Sequence, residues 1–303
     1  MTRLVLALLL VWWTQPALAL DLKDAPLAPI DATSKILGGV QAAPGAWPWI
    51  AALLSADDPS VFYAQFCSGV LIDQSWVLTA AHCVQGMSAT KIQVAVGAYD
   101  LTKFTGSRTP VKSIRIHPQF SSTSLYNDIA LVELGVPSAI QPIALFSGES
   151  VDKTPPSLLG KLVTVLGWGL ADTATSWYYP AILRQVSLPV VADSSCNDIY
   201  SNPVLPSQFC AGYYEGKDAC EGDSGGPAVV QVDGQWVHAG IVSAGVSCQE
   251  YFGWYGKYTR TSAQLSFIRQ YVPNVAVTTK TPPVVGGGAT GILPSINLLL
   301  LHP

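Results

Sequence analysis

Short apolar stretches recur along the chain between residues 47 and 245, and clusters of Gly, Pro, Ser and Asp separate them. The stretches are rich in Val, Ile, Trp and Tyr, which are residues that favour β-strands. This pattern predicts the strands of an antiparallel all-β fold. The predicted strands are WPWIAALL (47–54), FCSGVLI (66–72), WVLTAAHC (76–83), KIQVAVGAY (91–99), DIALVEL (128–134), LVTVLGWG (162–169), PAVVQV (227–232) and WVHAGIVSAG (236–245).

One segment has the spacing of a helix instead. In AQLSFIRQYV (263–272), apolar residues stand at Leu265, Ile268, Tyr271 and Val272, which places them on one helical face. We expect this helix to close the domain.

The two ends of the chain differ from the region between them. Residues 1–19 contain one early positive charge, a run of ten apolar residues and the small-x-small sequence ALA, which together predict a signal peptide and export. Residues 20–35 have mixed charges and prolines and predict an exposed lead segment. Residues 274–303 are predicted to be a Gly/Pro-rich linker and a short apolar tail. The tail is either a disordered end or a surface-sorting signal, and we favour the disordered end.

Composition restricts the class of protein. The chain has 303 residues, of which 49% are apolar, enough to bury a large core. A formal charge of −4 gives no electrostatic footprint for nucleic acid, and we expect no nucleic-acid partner. The six cysteines allow fifteen disulfide connectivities. They contain no C-x-x-C pair, so we expect no metal site.

Three short motifs carry the chemistry. TAAHC (79–83) contains His82, DIAL (128–131) contains Asp128, and GDSGGP (222–227) contains Ser224. A serine hydroxyl becomes a strong nucleophile when a neighbouring base removes its proton, and histidine is the side chain suited to that task near neutral pH. A buried carboxylate can then hold the imidazole in the required tautomer.

In this order the three motifs resemble those of the trypsin-like (chymotrypsin-fold) serine proteases. ILGG (36–39), GWG (167–169) and FCAGYYEGKDACEGDSGGP (209–227) extend the resemblance over residues 36–273. It implies two packed six-stranded antiparallel β-barrels with a C-terminal α-helix. It also implies a hydrolase without a cofactor that acts on protein or peptide substrates, is subject to protein inhibitors and is a monomer.

The resemblance assigns the catalytic roles. Ser224 is expected to be the nucleophile, His82 the general base and Asp128 its orienting carboxylate, while the N–H groups of Gly222 and Ser224 form the oxyanion hole. The other residues that compete for the histidine and aspartate roles are expected to be ordinary surface, turn or core residues. They are His117, His238 and His302 for the base, and Asp100, Asp152, Asp172, Asp193 and Asp198 for the carboxylate.

The resemblance further implies a precursor. Cleavage between Lys35 and Ile36 would expose an α-amino group, and this group would pair with Asp223. Residues 20–35 are then an activation propeptide.

The primary specificity pocket is the third feature that the resemblance implies. Asp218 stands at the pocket base and favours Arg or Lys before the cut bond. Ala219 replaces a serine that would help to bind Lys, so Arg should lose less affinity. Ser243 is assigned to substrate binding, and Gly245 and Gly256 leave the pocket walls open.

Family resemblance pairs the six cysteines as Cys67 with Cys83, Cys196 with Cys210, and Cys220 with Cys248.

Two alternative functions are considered. A protease-fold binding protein without activity is the rival from another class, and the presence of all three triad residues opposes it. A chymotryptic or elastolytic pocket is a second rival, which Asp218 opposes.

Overall fold

Two strand barrels, one following the other along the chain, make up the computed structural model. The described residues are 39–148, 158–172, 177–197, 200, 203–213, 219–245 and 254–279. The strands are β1 (Val40–Gln41), β2 (Ile50–Ser55), β3 (Gln65–Asp73), β4 (Trp76–Thr79), β5 (Ile92–Val96), β6 (Arg108–Ile116), β7 (Ala130–Leu134), β8 (Ala144–Phe146), β9 (Leu162–Gly167), β10 (Ala171–Asp172), β11 (Trp177–Tyr178), β12 (Arg184–Val191), β13 (Gln208–Tyr213), β14 (Pro227–Val232), β15 (Gln235–Ala244), β16 (Trp254–Arg260) and β17 (Val277–Thr278).

The first barrel closes in the order β2-β3-β4-β7-β6-β5, and all its pairings are antiparallel. Its interior is apolar because alternate residues of each strand point inward. Ile50, Leu53, Leu71 and Leu78 are fully buried there. Burial of these side chains is the main force that holds the barrel closed.

The second barrel runs in the order β9-β12-β13-β16-β15-β14, and the β14–β15 pairing closes it. Strand β1 adds to β12, and β8 and β17 extend the sheet beyond β15 with parallel pairings. The two closed six-stranded barrels confirm the expected fold class.

Four short α-helices lie between or beyond the strands in the described ranges. They are α1 (Val61–Ala64), α2 (Ala81–Val84), α3 (Asp193–Asn197) and α4 (Leu265–Tyr271), and 3-10 turns cover Ala89–Lys91 and Thr261–Gln264. The helix predicted over 263–272 is confirmed by α4 and the 3-10 turn before it. Phe267 and Ile268 of α4 are buried against the core of the first barrel. The helix therefore packs on the first barrel, although it follows the second barrel in the sequence.

Some strand predictions need correction. The stretch 76–83 is not a single strand, because β4 ends at Thr79 and α2 begins at Ala81. Strands β6, β12, β13 and β16 were not predicted from the sequence. Two of them carry a proline, Pro110 in β6 and Pro189 in β12, and proline within a run weakens a strand prediction.

The first residues of the segment predicted as linker pair with the second barrel. Val277 and Thr278 form β17 beside β8, and the Ser147 N–H donates to the Thr278 carbonyl over 2.9 Å. Residues 1–38 and 280–303, which include the predicted signal peptide, propeptide and apolar tail, lie outside the described residues. None of the helices in the described ranges has the length and apolarity needed to cross a membrane.

Candidate active site

His82 and Asp128 meet because of strand register. Thr79, the last residue of β4, pairs with Ala130, the first residue of β7, so the segments that adjoin these ends lie side by side. His82 lies in α2 just after β4, and Asp128 lies just before β7. The Nδ1 atom of His82 is 2.7 Å from Oδ2 of Asp128, and the His82 backbone N–H donates to Oδ1 over 2.9 Å.

Asp128 is fully buried, and groups from the second barrel complete its hydrogen bonds. The Ser243 hydroxyl donates to Oδ2 over 2.6 Å, and the Thr259 hydroxyl donates to the Asp128 carbonyl over 2.9 Å. An ionised carboxylate only accepts hydrogen bonds, so Nδ1 of His82 carries the proton. The lone pair of Nε2 is therefore free to accept a proton from another group.

Ser224 lies in a turn that the two barrels hold between them. The Ser68 N–H of the first barrel donates to the Ser224 carbonyl over 2.8 Å, and the Gly225 N–H donates to the Val242 carbonyl of the second over 2.9 Å. Gly225 has φ +77°, and a Cβ there would collide with the Thr79 hydroxyl and the Ser68 carbonyl. Glycine is required at this position both by conformation and by space.

Two contacts expected of a serine protease site are not formed among the described residues. Ser224 makes no hydrogen bond to His82 within the described residues, and such bonds often tighten only when substrate binds. The backbone N–H groups of Gly222 and Ser224 likewise donate to no group in the described part of the chain. Both N–H groups are thus available to a ligand oxygen, as an oxyanion hole requires.

Asp223, between these two residues, is fully buried. Its carboxylate accepts hydrogen bonds from the Gly169 N–H over 2.8 Å and the Cys220 N–H over 2.9 Å. Burial raises the pKa of Asp223 to about 6 despite these bonds. A Cβ on Gly167 or Gly169 would collide with the same carboxylate, so the GWG motif makes the space that Asp223 occupies.

The described residues include some of those predicted to form the specificity pocket. Ala219 and Gly256 are buried and Gly245 is exposed, while Asp218 lies outside the described residues. Ser243 was assigned to substrate binding. Its hydroxyl donates to Asp128, which gives this side chain a role in holding the His82 partner.

Two of the expected disulfides are present in the structure. Cys67 and Cys83 join β3 to α2, and Cys196 and Cys210 join α3 to β13. Cys220 is also disulfide-bonded, and its expected partner, residue 248, is outside the described ranges.

A metal site near His82 does not fit the donor atoms. Within the described residues, the cluster of possible ligands there is Cys67, His82 and Cys83. Both sulfurs belong to one disulfide, whereas metal binding by cysteine uses the thiolate. The cluster therefore does not offer the ligands of a zinc site.

Sequence reasoning missed two threonines that hold the backbone near Asp128 and Ser224. The hydroxyls of Thr259 and Thr79 act on backbone carbonyls, that of Thr79 on Ser68 over 2.7 Å. Thr79 is the first residue of the TAAHC motif, but the motif does not show that its hydroxyl donates to Ser68, eleven positions away. Thr259 belongs to none of the motifs, and its contact with Asp128 spans 131 positions. No local signal in the sequence marks them.

Comparisons with known proteins agree with this geometry. A family model described as Trypsin matches residues 36–268. Vitamin K-dependent protein C of Mus musculus is 34% identical over 273 residues, which is 86% of this chain and 56% of that protein. Serine proteinase stubble of Drosophila melanogaster is 34% identical over 72% of this chain and 28% of its own length. Trypsin-3 of Salmo salar is 36% identical over 74% of this chain and 87% of its own length. The chain spans about half the length of the protein C relatives from mouse and rat.

Proposed function

This chain belongs to the trypsin family of serine proteases, and we propose that it is a secreted endopeptidase that cuts peptide bonds after Arg or Lys. The observation that carries the proposal is the His82–Asp128 pair. In this pair, each Asp128 carboxylate oxygen accepts a hydrogen bond from His82. A base oriented in this way is ready to take a proton from Ser224.

The proposed reaction is acyl transfer in two stages. The Ser224 Oγ attacks the carbonyl carbon of the substrate while its proton passes to Nε2 of His82. The carbonyl oxygen takes up negative charge, and the Gly222 and Ser224 N–H groups stabilise it. The C–N bond then breaks, and the amine leaves with the proton from His82. Water repeats these steps on the acyl-enzyme and releases the acid.

We infer that specificity comes from Asp218 at the pocket base. The buried Ala219 beside it offers no hydroxyl, so a bidentate guanidinium is a better partner for the carboxylate than an ammonium. Gly256 pairs with Ala211 in the β13–β16 ladder, and the absence of a side chain there leaves room for a long cation. We therefore expect the enzyme to prefer Arg over Lys.

The same chain is proposed to be made as an inactive precursor. Cleavage after Lys35 would free the α-amino group of Ile36, which would form an ion pair with Asp223. A buried carboxylate with a raised pKa gains strongly from such a partner, and its turn contains the nucleophile. Activity should decline at alkaline pH, because pairing raises the pKa of the amine and deprotonation above that pKa removes the partner.

We propose the following organisation: residues 1–19 as signal peptide, 20–35 as propeptide, 36–273 as the protease domain and 274–303 as linker and tail. Its partners would be protein or peptide substrates and protein inhibitors, with no stable membrane span, and the enzyme would be a monomer. Surface attachment through the tail is the alternative to full release.

Hydrolysis of four matched small amides, with Arg, Lys, Phe or Ala before the bond, tests this proposal. The chain cut after Lys35 should hydrolyse the Arg and Lys amides only, and the Ser224→Ala variant should hydrolyse none. Turnover of the Phe or Ala amide would overturn the pocket assignment while leaving the triad. No turnover of any amide, with Ile36 verified as the new terminus, would favour a binding protein.

A further inference from the structure

Arg184 is a buried cation that the proposed mechanism does not use. It is the first residue of β12, and only 4% of it is exposed. Buried arginines are rare unless their charge has a partner. Its position in the sheet indicates what that partner is.

Strand register places Arg184 between two parts of the proposed activation machinery. On one side it pairs with Gln41 of β1, the strand that follows the proposed new terminus. On the other side it pairs with Gly167 of β9. Gly167 in turn lies against Asp223, since a Cβ on Gly167 would overlap the Asp223 carboxylate.

The side chain of Arg184 interacts with Gly39 on one side and with the charge of Asp223 on the other. Its Nη2 donates to the Gly39 carbonyl over 3.3 Å, and Gly39 is three residues beyond Ile36. Its positive charge lowers the pKa of Asp223, against the larger rise caused by burial. Among the described residues, it is the cation that influences this carboxylate.

Among the described residues, the other groups around Asp223 do not supply positive charge. The Gly169 and Cys220 N–H groups are dipoles, and Glu221 is an acid on the same turn. Tyr179 also lies nearby, and burial, together with the charges of Glu221 and Asp223, raises the pKa of its phenol. The phenol is therefore neutral and carries no charge that could stabilise the Asp223 carboxylate. Arg184 does carry such a charge.

We propose that Arg184 is a positioning residue of the activation site, which anchors the segment after Ile36 through the Gly39 carbonyl and stabilises the ionised Asp223 carboxylate that this terminus pairs with. The inference rests on the proposed activation after Lys35 and adds a residue to it. The guanidinium suits this double role because its donors form a rigid, planar fork. A lysine would keep the charge without the fork and should restore only part of the effect.

The test measures how well the new terminus is protected. Ser224→Ala protein is cut after Lys35 by added trypsin, and cyanate is used to carbamylate the Ile36 α-amine, which reacts only when it is unprotonated and accessible. Mass spectrometry of the terminal peptide gives the rate. Arg184→Met and Arg184→Lys are compared in this background. Arg108→Met is the matched control, since Arg108 also donates to a backbone carbonyl, that of Ser55, but lies in the first barrel.

Arg184→Met should raise the carbamylation rate by about tenfold, the effect of losing one hydrogen bond to a charged group. Arg184→Lys should be intermediate, and Arg108→Met should match the parent. A similar increase in Arg108→Met would overturn the inference, because general loosening would then explain the result. So would an Arg184→Met rate equal to that of the parent.

The parent protein separates this inference from the proposed activation. Slow carbamylation of the parent shows that the terminus is buried, and the Arg184 variants then test the inference alone. If the parent terminus reacts as fast as a free peptide that begins Ile-Leu-Gly, the ion pair with Asp223 is wrong and the role of Arg184 is overturned with it.

Discussion

The two barrels share a strand plan but differ in what they bury. In the described part of the first barrel, Asp128 is the one charged side chain that is buried. The second barrel buries several ionisable residues among its apolar side chains. They are Lys161, Arg184, Asp223, His238, Lys257 and Arg260.

The difference has a physical meaning. An apolar core gains stability from burial alone, whereas a buried charge costs free energy unless partners compensate it. The first barrel provides His82 of α2 and Asp128, which are in hydrogen-bond contact in this structure. The second barrel contains Asp223, whose proposed partner arises only on cleavage. Under the proposed activation, control of activity would lie in the second barrel, which buries these ionisable residues within its apolar core.

The largest expected effect follows from breaking the hydrogen bonds between Asp128 and His82 in the first barrel. In Asp128→Asn, one oxygen becomes an NH2 group and faces a donor, either the His82 ring or its backbone N–H. We expect kcat to fall by about 10⁴, the loss known for this change in trypsin-type triads. Asp100→Asn, at a carboxylate that accepts from Thr102 and pairs with Lys103 instead of His82, is the control for amide hydrolysis and should keep full activity. A loss of less than tenfold in Asp128→Asn would contradict the proposed role.

Next comes the apolar interior of the first barrel. Leu78→Ala removes a fully buried side chain from β4, and we expect it to lower the free energy of unfolding by about 3 kcal/mol. Leu159, which is 58% exposed before β9, provides the matched Leu→Ala control, with a change of about 0.5 kcal/mol or less. Urea unfolding of both variants measures the difference. Equal losses would mean that burial at β4 does not hold the barrel.

A smaller effect concerns His238 in the second barrel. Burial lowers the pKa of His238 to about 3, and Nδ1 lies 3.0 Å from the Thr261 hydroxyl. The unfolded chain binds the proton more tightly, so this histidine reduces stability as pH falls below its unfolded pKa of about 6.5. Between pH 7 and pH 5 the parent should lose about 2 kcal/mol more than His238→Gln.

Unfolding at both pH values, with His117→Gln as control, tests this contribution. His117 is only half-buried, with its ring 4.9 Å from that of Phe267, so its replacement should change the pH dependence much less. An equal pH dependence in the parent and in His238→Gln would mean that the histidine is not held neutral by burial.

The smallest expected signal is a proton released on activation. With a pKa of about 6, Asp223 is half protonated at pH 6 before cleavage. Pairing with the Ile36 ammonium should ionise it fully, while the new carboxylate and ammonium balance each other. Calorimetry of cleavage in two buffers with different ionisation enthalpies should therefore show about half a proton released per chain at pH 6 and much less at pH 7. No release at pH 6 would contradict the change in Asp223.

The sequence predicted those elements that have a recognisable local pattern of apolar residues. Short apolar runs located β2, β5 and β7, and helical spacing located α4. Strand β12 was missed, although its burial alternates regularly, because Arg184 occupies an inward position and Pro189 interrupts the run.

The contacts that hold Asp128 in place join residues that are far apart in the sequence. Ser243 reaches Asp128 across 115 positions, and Thr259 reaches it across 131. Such contacts depend on how the two barrels pack against each other, and the spacing of residues within one strand does not predict that packing. The motif glycines at 167 and 169 were recognised by resemblance, and their physical reason, the space for Asp223, emerged from the fold.

Covalent labelling of the nucleophile tests the central claim most directly. The chain cut after Lys35 is treated with an organophosphorus fluoridate, a reagent that phosphorylates an activated serine, and the labelled peptide is identified by mass spectrometry. The account predicts one adduct per chain, located on Ser224, little labelling of the uncut chain and none of cut Ser224→Ala or cut protein unfolded in urea. An unlabelled Ser224 in cut, folded protein, or an adduct on another serine, would contradict it.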